Sequence, residues 1–341
     1  MIAPVDAQAL QGLREETRRT WASVIGDGAS VTLLDMPSHR NAGDSMIWAG
    51  EMAYLADRRI DFISDLRRYD PEAIRRATSD DSVILLHGGG NFGDVWPIFQ
   101  AGRERVIADF PDRKIVQLPQ TLKFHDLDNA KRANEILAAH PDFTVLVRDT
   151  RSMRSGTEWL PDVALEYSPD AALGWSPPHR EVRDRGILVL QRNDHESRFD
   201  LAGAFAPLLS SRDTITDWTM PRSATARWHA LKTPGRLTSF APGLRRNGAY
   251  QQVLQSAGRA LMGLNLRHAV ELFEGRSLVI TDRLHAHVLA TLLGIPSIVF
   301  DNSYGKVSSI VGDYTASLST THFVQSTDEG IDVMRTLASS S

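Results

Sequence analysis

Short apolar runs rich in β-branched residues alternate along the chain with segments whose apolar positions recur every three or four residues. The first pattern predicts buried strands and the second helices that cover them. The clearest instance is residues 277–301, SLVITDRLHAHVLATLLGIPSIVFD. Ser277–Thr281 reads as a strand, Asp282 as a helix cap and Arg283–Leu293 as a helix. Gly294 and Pro296 stop that helix before a second strand, Ser297–Asp301. A strand–helix–strand unit of this kind is parallel and right-handed, and ligands gather beyond the carboxyl ends of its strands.

The same alternation begins after an opening helix over residues 9–22. Strands are predicted at Val31–Asp35, Asp61–Asp65, Val83–His87, Lys114–Leu118 and Phe143–Arg148. Helices are predicted from Asp44 to Arg58, over Pro71–Ala77, from Pro97, over Leu127–Ala139 and near Ser152. Ser168–Arg185, with three prolines and no apolar period, reads as a linker. Beyond it come strand Gly186–Gln191, helix Leu201–Leu209, strand Thr214–Trp218 and helix Ala224–Leu231. A loop is expected over Thr233–Arg246, then a helix over Ala249–Phe273 broken near Gly263, and a terminal helix over Asp328–Leu337. The expected architecture is α/β, with two Rossmann-like domains of mostly parallel sheet facing a cleft, over residues 1–175 and 180–325; residues 326–341 form a terminal helix and tail.

At 341 residues the chain is long enough for two cores, and 42% hydrophobic content can fill them. No apolar run approaches a membrane span, and the opening residues lack the basic-then-apolar order of a signal peptide. With no cysteine, disulfides, thiolate metal sites and cysteine nucleophiles are excluded. A net charge of −4 argues against general nucleic-acid binding.

Candidate chemistry gathers at predicted strand ends. Arg283 and His285 stand at a helix start, where free N–H groups and the helix dipole already favour an anion. Arg192 ends the first strand of the second half and reads either as a second anion ligand or as a salt bridge to Asp194 or Glu196. Asn41-Ala42-Gly43-Asp44 reads as a tight turn with Asp44 capping, or as a cleft floor. Gly88-Gly89-Gly90-Asn91 follows a buried strand where backbone must be approached closely, but it is neither GxGxxG nor a P-loop. Asp94 is a helix cap or a base, and Tyr304 and Lys306 can add donors after the last strand. His285 and His287 lie two apart on a helix and face different ways, without zincin spacing, so no metal site is expected. His285 is the candidate for proton transfer, while His287, four residues from Arg283, packs or orients that arginine. No GxSxG elbow is present.

Taken together, NxGD at Asn41–Asp44, GGGNFGD at Gly88–Asp94, RxD at Arg192-Asn193-Asp194 and DRLHA at Asp282–Ala286 resemble the polysaccharide pyruvyl transferases, over about residues 31–310. GGGNFGDVW is similar to the exopolysaccharide branch, while QRND departs from the more usual RRTD beside Arg192. The resemblance implies a GT-B-like fold and transfer of the pyruvyl group of phosphoenolpyruvate (PEP) to two hydroxyls of a sugar, giving a cyclic ketal. It implies that Arg283, Leu284, His285 and Arg192 handle PEP, with Tyr304 and Lys306 as further donors. Asn41, Gly43, Asp44, Gly89, Gly90 and Asn91 are expected on the acceptor side, where Asp94 or Asp44 orients or deprotonates the acceptor hydroxyl. PEP is expected as co-substrate, with no cofactor and no metal. The partner expected is a lipid-linked sugar acceptor, met in the cytoplasm with at most peripheral association at the inner membrane. The rival readings are a GT-B nucleotide-sugar glycosyltransferase and a non-catalytic anion-binding module.

Overall fold

The computed structural model describes residues 2–64, 66, 69–178, 184–192, 197–303 and 305–339. Helix α1 (Pro4–Ile25) leads into β1 (Val31–Leu34), α2 (Ala42–Tyr54), β2 (Ile60–Ile63) and α3 (Pro71–Ala77). Next come β3 (Val83–Leu86), β4 (Gly89–Gly93), α4 (Pro97–Asp109), β5 (Ile115–Lys123) and α5 (Leu127–Ala138). β6 (Phe143–Val147), α6 (Thr150–Trp159) and β7 (Ala164–Tyr167) complete the first sheet, with order β2-β1-β3-β5-β6-β7 and β4 paired to β5.

The second sheet opens with β8 (Ile187–Leu190), α7 (Leu201–Phe205) and β9 (Thr214–Thr216). A helical layer follows, α8 (Arg222–Leu231), α9 (Thr233–Phe240) and α10 (Gly248–Phe273). β10 (Leu278–Thr281), α11 (Leu284–Leu293), β11 (Ser297–Phe300), α12 (Lys306–Ile310), β12 (Thr321–Val324) and α13 (Thr327–Ser339) finish the chain. The strand order is β12-β11-β10-β8-β9. Pairing is parallel in both sheets among the described residues.

These are two Rossmann-like α/β units in a GT-B-like arrangement. β1, β3, β10 and β11 are buried along their whole length, as parallel strands covered on both faces must be. Carboxylate or amide caps start α2, α3, α5, α6, α7 and α10. A single apolar core joins the halves, from Leu33, Leu85 and Val116 through α2 and α10 to Val279, Val288 and Val299.

Strand order fixes where chemistry can occur. In the first sheet the chain steps from β1 to β2 on one side and to β3 on the other, so the crevice opens beyond β1 and β3. In the second it opens beyond β8 and β10. The residues beyond those strands begin at Asp35, His87, Gln191 and Asp282.

Several sequence expectations are corrected. Thr233–Arg246 is helical, α9 plus a 3-10 turn at Pro242–Arg246; Pro234 and Pro242 stand in first turns, where no N–H is required. α10 runs unbroken through Gly263, whose flanking residues pack on the core. The glycine-rich stretch after β3 includes a strand of its own, β4 at Gly89–Gly93, which the apolar pattern does not mark. The expected linker is not loose at its start: Ser168 and Asp170–Leu173 are buried, and Ala171 lies so close to Gly50 of α2 that a Cβ there would overlap its carbonyl oxygen. Residues 179–183 of that segment lie outside the described residues. β7 and β12 went unpredicted; β7 alternates exposed and partly buried positions, and β12 is buried only at Val324.

Candidate active site

The two crevices meet at the start of α11. Asp282 does not cap that helix, because Arg283 occupies the cap position without a side-chain bond. Instead the buried Asp282 carboxylate accepts the Arg192 backbone N–H at 2.9 Å and the Ser197 hydroxyl at 2.9 Å, tying the β8 and β10 loops together. Burial raises its pKa, against those hydrogen bonds and the charges of Arg192 and Arg283.

Arg283 reaches back across its own sheet. Its guanidinium grips Asp217, beyond β9, with Nη2 at 2.6 Å from Oδ2 and Nε at 2.5 Å from Oδ1. One hydrogen bond and one close ion contact thus hold the guanidinium on that carboxylate. His287 does not orient Arg283 as expected. It is buried, with its ring nitrogens 2.9 Å from Ser297 Oγ and 2.7 Å from Thr315 Oγ1, and burial pushes its pKa down to about 4.

His285 points the other way, into the first half. Its ring lies on the first turn of α2, where a Cβ at Gly43 would stand 2.6 Å from Nδ1. Its Nε2 is 3.5 Å from Asp170 Oδ2. Asp170 Oδ2 also takes Nη1 of the buried Arg148 at 2.8 Å, and Oδ1 takes the Ala172 N–H at 2.9 Å. Burial opposes the Asp170 charge, but Arg148 and His285 outweigh it and hold the carboxyl well below the usual range. The Arg148 Nε donates to Thr121 at 2.9 Å, while Nη2 has no hydrogen-bond partner among the described residues. That nitrogen faces Gly90: a Cβ there would lie 3.1 Å from it and 2.5 Å from Lys306 Nζ. Gly90 is therefore where the main chain approaches two cations.

On the α2 side Asn41 is the cap, accepting the Gly43 N–H at 3.0 Å and donating to Asp44 at 2.9 Å. Asp44, expected as the cap, stands one turn in. Burial works against its charge, but His39, His87, His285 and Lys306 together keep it ionised below the ordinary carboxylate value. Beneath lies a buried pair, Glu51 and His87. Glu51 takes His87 Nδ1 at 2.7 Å and the Gly88 N–H at 2.8 Å. Burial depresses His87, but Glu51 reverses this and raises its pKa.

The structure therefore brings together Gly43, Asp44, Gly90, His285 and Lys306, with the Arg283–Asp217 pair and Arg192 on the second-sheet rim. It draws Asp94 and Asn91 into structural roles. The Asp94 carboxylate takes the backbone N–H groups of His125 at 2.8 Å and Asp126 at 2.9 Å, fixing the approach to α5. Asn91 Oδ1 accepts from Gln120 at 3.0 Å and from Arg103 at 3.2 Å. Gly89 adopts φ 141°, a backbone requirement rather than a contact one. Leu284 is buried in the core. Tyr304 and Asn193–Glu196 lie outside the described residues. Among the described residues no cluster of three or more His, Asp or Glu could hold a metal ion.

Arg148, Asp170, Asp217, Glu51 and His87 were missed as site residues. Arg148 carried the signal used for Arg192, an arginine at a strand's carboxyl end.

Fold and site together define an α/β protein of two Rossmann-like halves whose junction gathers paired cations, carboxylates and a histidine. The family model for polysaccharide pyruvyl transferase matches residues 41–219 and 252–304, and the chain belongs to that family. It is 27% identical to putative pyruvyl transferase EpsO of Bacillus subtilis (strain 168), over 89% of this chain and 90% of that one. It is 29% identical to pyruvyl transferase 1 of Schizosaccharomyces pombe, over 82% and 68% of the two chains. A crystal structure of an uncharacterized protein from Klebsiella pneumoniae superposes with a TM-score of 0.58 at 17% identity, covering 92% of this chain and 99% of that one, which bears on the fold alone.

Proposed function

We propose that this pyruvyl transferase moves the pyruvyl group of PEP onto two hydroxyls of a sugar, forming a ketal during exopolysaccharide or cell-surface glycan synthesis. The observation that carries the reading is His285 set between the Asp170–Arg148 pair and the start of α2, with Lys306 opposite across Gly90.

PEP carries a phosphate and a carboxylate, and the rim offers Arg148, Lys306, Arg283 and Arg192 for them. His285 protonates the methylene carbon of PEP, giving an oxocarbenium-like C2. A sugar hydroxyl attacks C2 and releases its proton; the C2–O bond to phosphate breaks and phosphate leaves. The second hydroxyl then closes the ring and releases its own proton. One released proton restores His285 and the other departs with phosphate, so the balance closes. Asp44, held ionised, orients an acceptor hydroxyl.

Phosphate release from PEP across a panel of lipid-linked and nitrophenyl sugars tests donor and acceptor together. Release is expected with at least one acceptor, and His285→Ala should lower it about 100-fold to 10,000-fold. Near-normal release in that variant would overturn the assignment.

A further inference from the structure

Residues 218–270 contain eight arginines and lysines and no aspartate or glutamate, in a chain whose net charge is −4. The remainder of the molecule therefore carries −12, and this single tract +8. Its residues build α8, α9 and α10, one contiguous helical layer. Arg222, Arg227, Arg236, Arg259 and Arg267 are exposed on it. So are large apolar side chains: Phe240 is 87% exposed, Leu237 47% and Val253 46%. On α9, Arg236 and Phe240 lie four apart and Leu237 between them, so the cation and both apolar groups share one side.

We propose that this layer is the docking surface for an anionic lipid bilayer. Exposed apolar side chains among arginines, with no carboxylate in the tract itself and Asp70, the cap of α3, paired to Arg246, match a surface of negative headgroups over hydrocarbon. A nucleic acid would use the charge but would not call for Phe240 and Leu237 together. No described helix is long and apolar enough to cross a membrane, so the association is with its surface.

The layer is also joined to the acceptor-side loop. Lys232 Nζ donates to the Ser38 carbonyl at 2.8 Å, Asn265 Nδ2 to the His39 carbonyl at 3.0 Å, and the Arg40 guanidinium lies 5.5 Å from the Trp228 ring centre. A bilayer held by α8–α10 thus stands beside the loop that ends at Asn41. The purpose of docking, presentation of a lipid-linked acceptor, rests on the function proposed above; the docking itself does not.

Flotation of the full chain with vesicles tests it, using phosphatidylcholine alone and phosphatidylcholine mixed with phosphatidylglycerol. The protein should float with the mixed vesicles at low salt, and not with phosphatidylcholine or at high salt. The double variant Arg236→Glu, Phe240→Asp should lose about tenfold or more of that binding. Its melting temperature, and its phosphate release with a soluble acceptor, should stay unchanged. Failure of the wild type to float with anionic vesicles, equal flotation of the variant, or displacement from vesicles by a short oligonucleotide would each overturn the proposal. A wild type that floats but releases phosphate with no acceptor would uphold the docking surface and overturn the pyruvyl-transfer chemistry.

Discussion

Nε2 of His285, from the second half, lies 3.5 Å from the Asp170 carboxylate of the first, which is itself paired at 2.8 Å with the buried Arg148. This chain of three side chains crosses the junction between the sheets and sets the imidazole in place. Replacing Asp170 with Asn should therefore act twice. A buried guanidinium loses its counter-charge, costing about 3–5 kcal/mol of stability. The His285 ring loses its anionic neighbour, and phosphate release should fall with it. Urea unfolding and the PEP assay measure the two effects separately, and a fully active, fully stable Asp170→Asn would refute both.

Gly90 separates stability from binding more cleanly. An added methyl group would meet the far end of the Lys306 side chain at 2.5 Å and Arg148 Nη2 at 3.1 Å. The lysine can swing aside, so Gly90→Ala should change stability by less than about 1 kcal/mol. The displaced ammonium should nevertheless raise the KM for PEP by about tenfold, the equivalent of one charge-assisted hydrogen bond. An unchanged KM would remove Lys306 from the donor site.

The Arg283–Asp217 pair makes a third prediction. Arg283→Lys keeps the charge but not the planar guanidinium that meets Asp217 through two nitrogens, so PEP turnover should drop by about tenfold or more. Asp217→Asn should have a milder effect, since it loosens the arginine without removing it. If the lysine variant matches the wild type, the planar group serves only the structure.

Much of this was legible in the sequence because parallel strands are continuous apolar runs and their carboxyl ends carry the chemistry. Val83–Leu86, Leu278–Thr281 and Ser297–Phe300 could be read directly, and so could the placing of Arg283 and His285 just beyond a strand. The partners of those residues could not. Asp170 lies in a proline-containing stretch that looks like a linker, yet Ser168 to Leu173 packs into the core; long-range contacts with α1 and α2 reveal this. Asp217 meets Arg283 across 66 positions of sequence, and Glu51 meets His87 across 36. Asp94 also has partners that local pattern does not show. A carboxylate before a helix reads as a cap or a base, whereas its oxygens go to N–H groups at 125 and 126. Such pairings depend on how the sheets stack, which local pattern does not encode.

Two of the buried histidines, His87 and His287, should give stability opposite pH dependences. His287 is neutral when folded, with its pKa pushed down to about 4 by burial, whereas an unfolded histidine titrates near ~6.5. Between those values the unfolded chain binds a proton that the folded chain refuses, so stability should fall as pH drops through that window, by on the order of 3 kcal/mol in all. His87 behaves inversely. Burial depresses it, but Glu51 more than compensates and raises it, so its contribution is complete below ~6.5 and is lost as pH rises through the elevated folded value. Urea unfolding across this pH range should show both slopes in the wild type. His287→Gln should flatten most of the acid side and leave the alkaline side unchanged, the remainder belonging to His322, whose pKa burial also lowers. Glu51→Gln should flatten the alkaline side and lower stability overall, because His87 and the Gly88 N–H lose a charged acceptor. An acid slope undiminished by His287→Gln would mean that other groups carry it, and the burial of that imidazole would then have no thermodynamic signature.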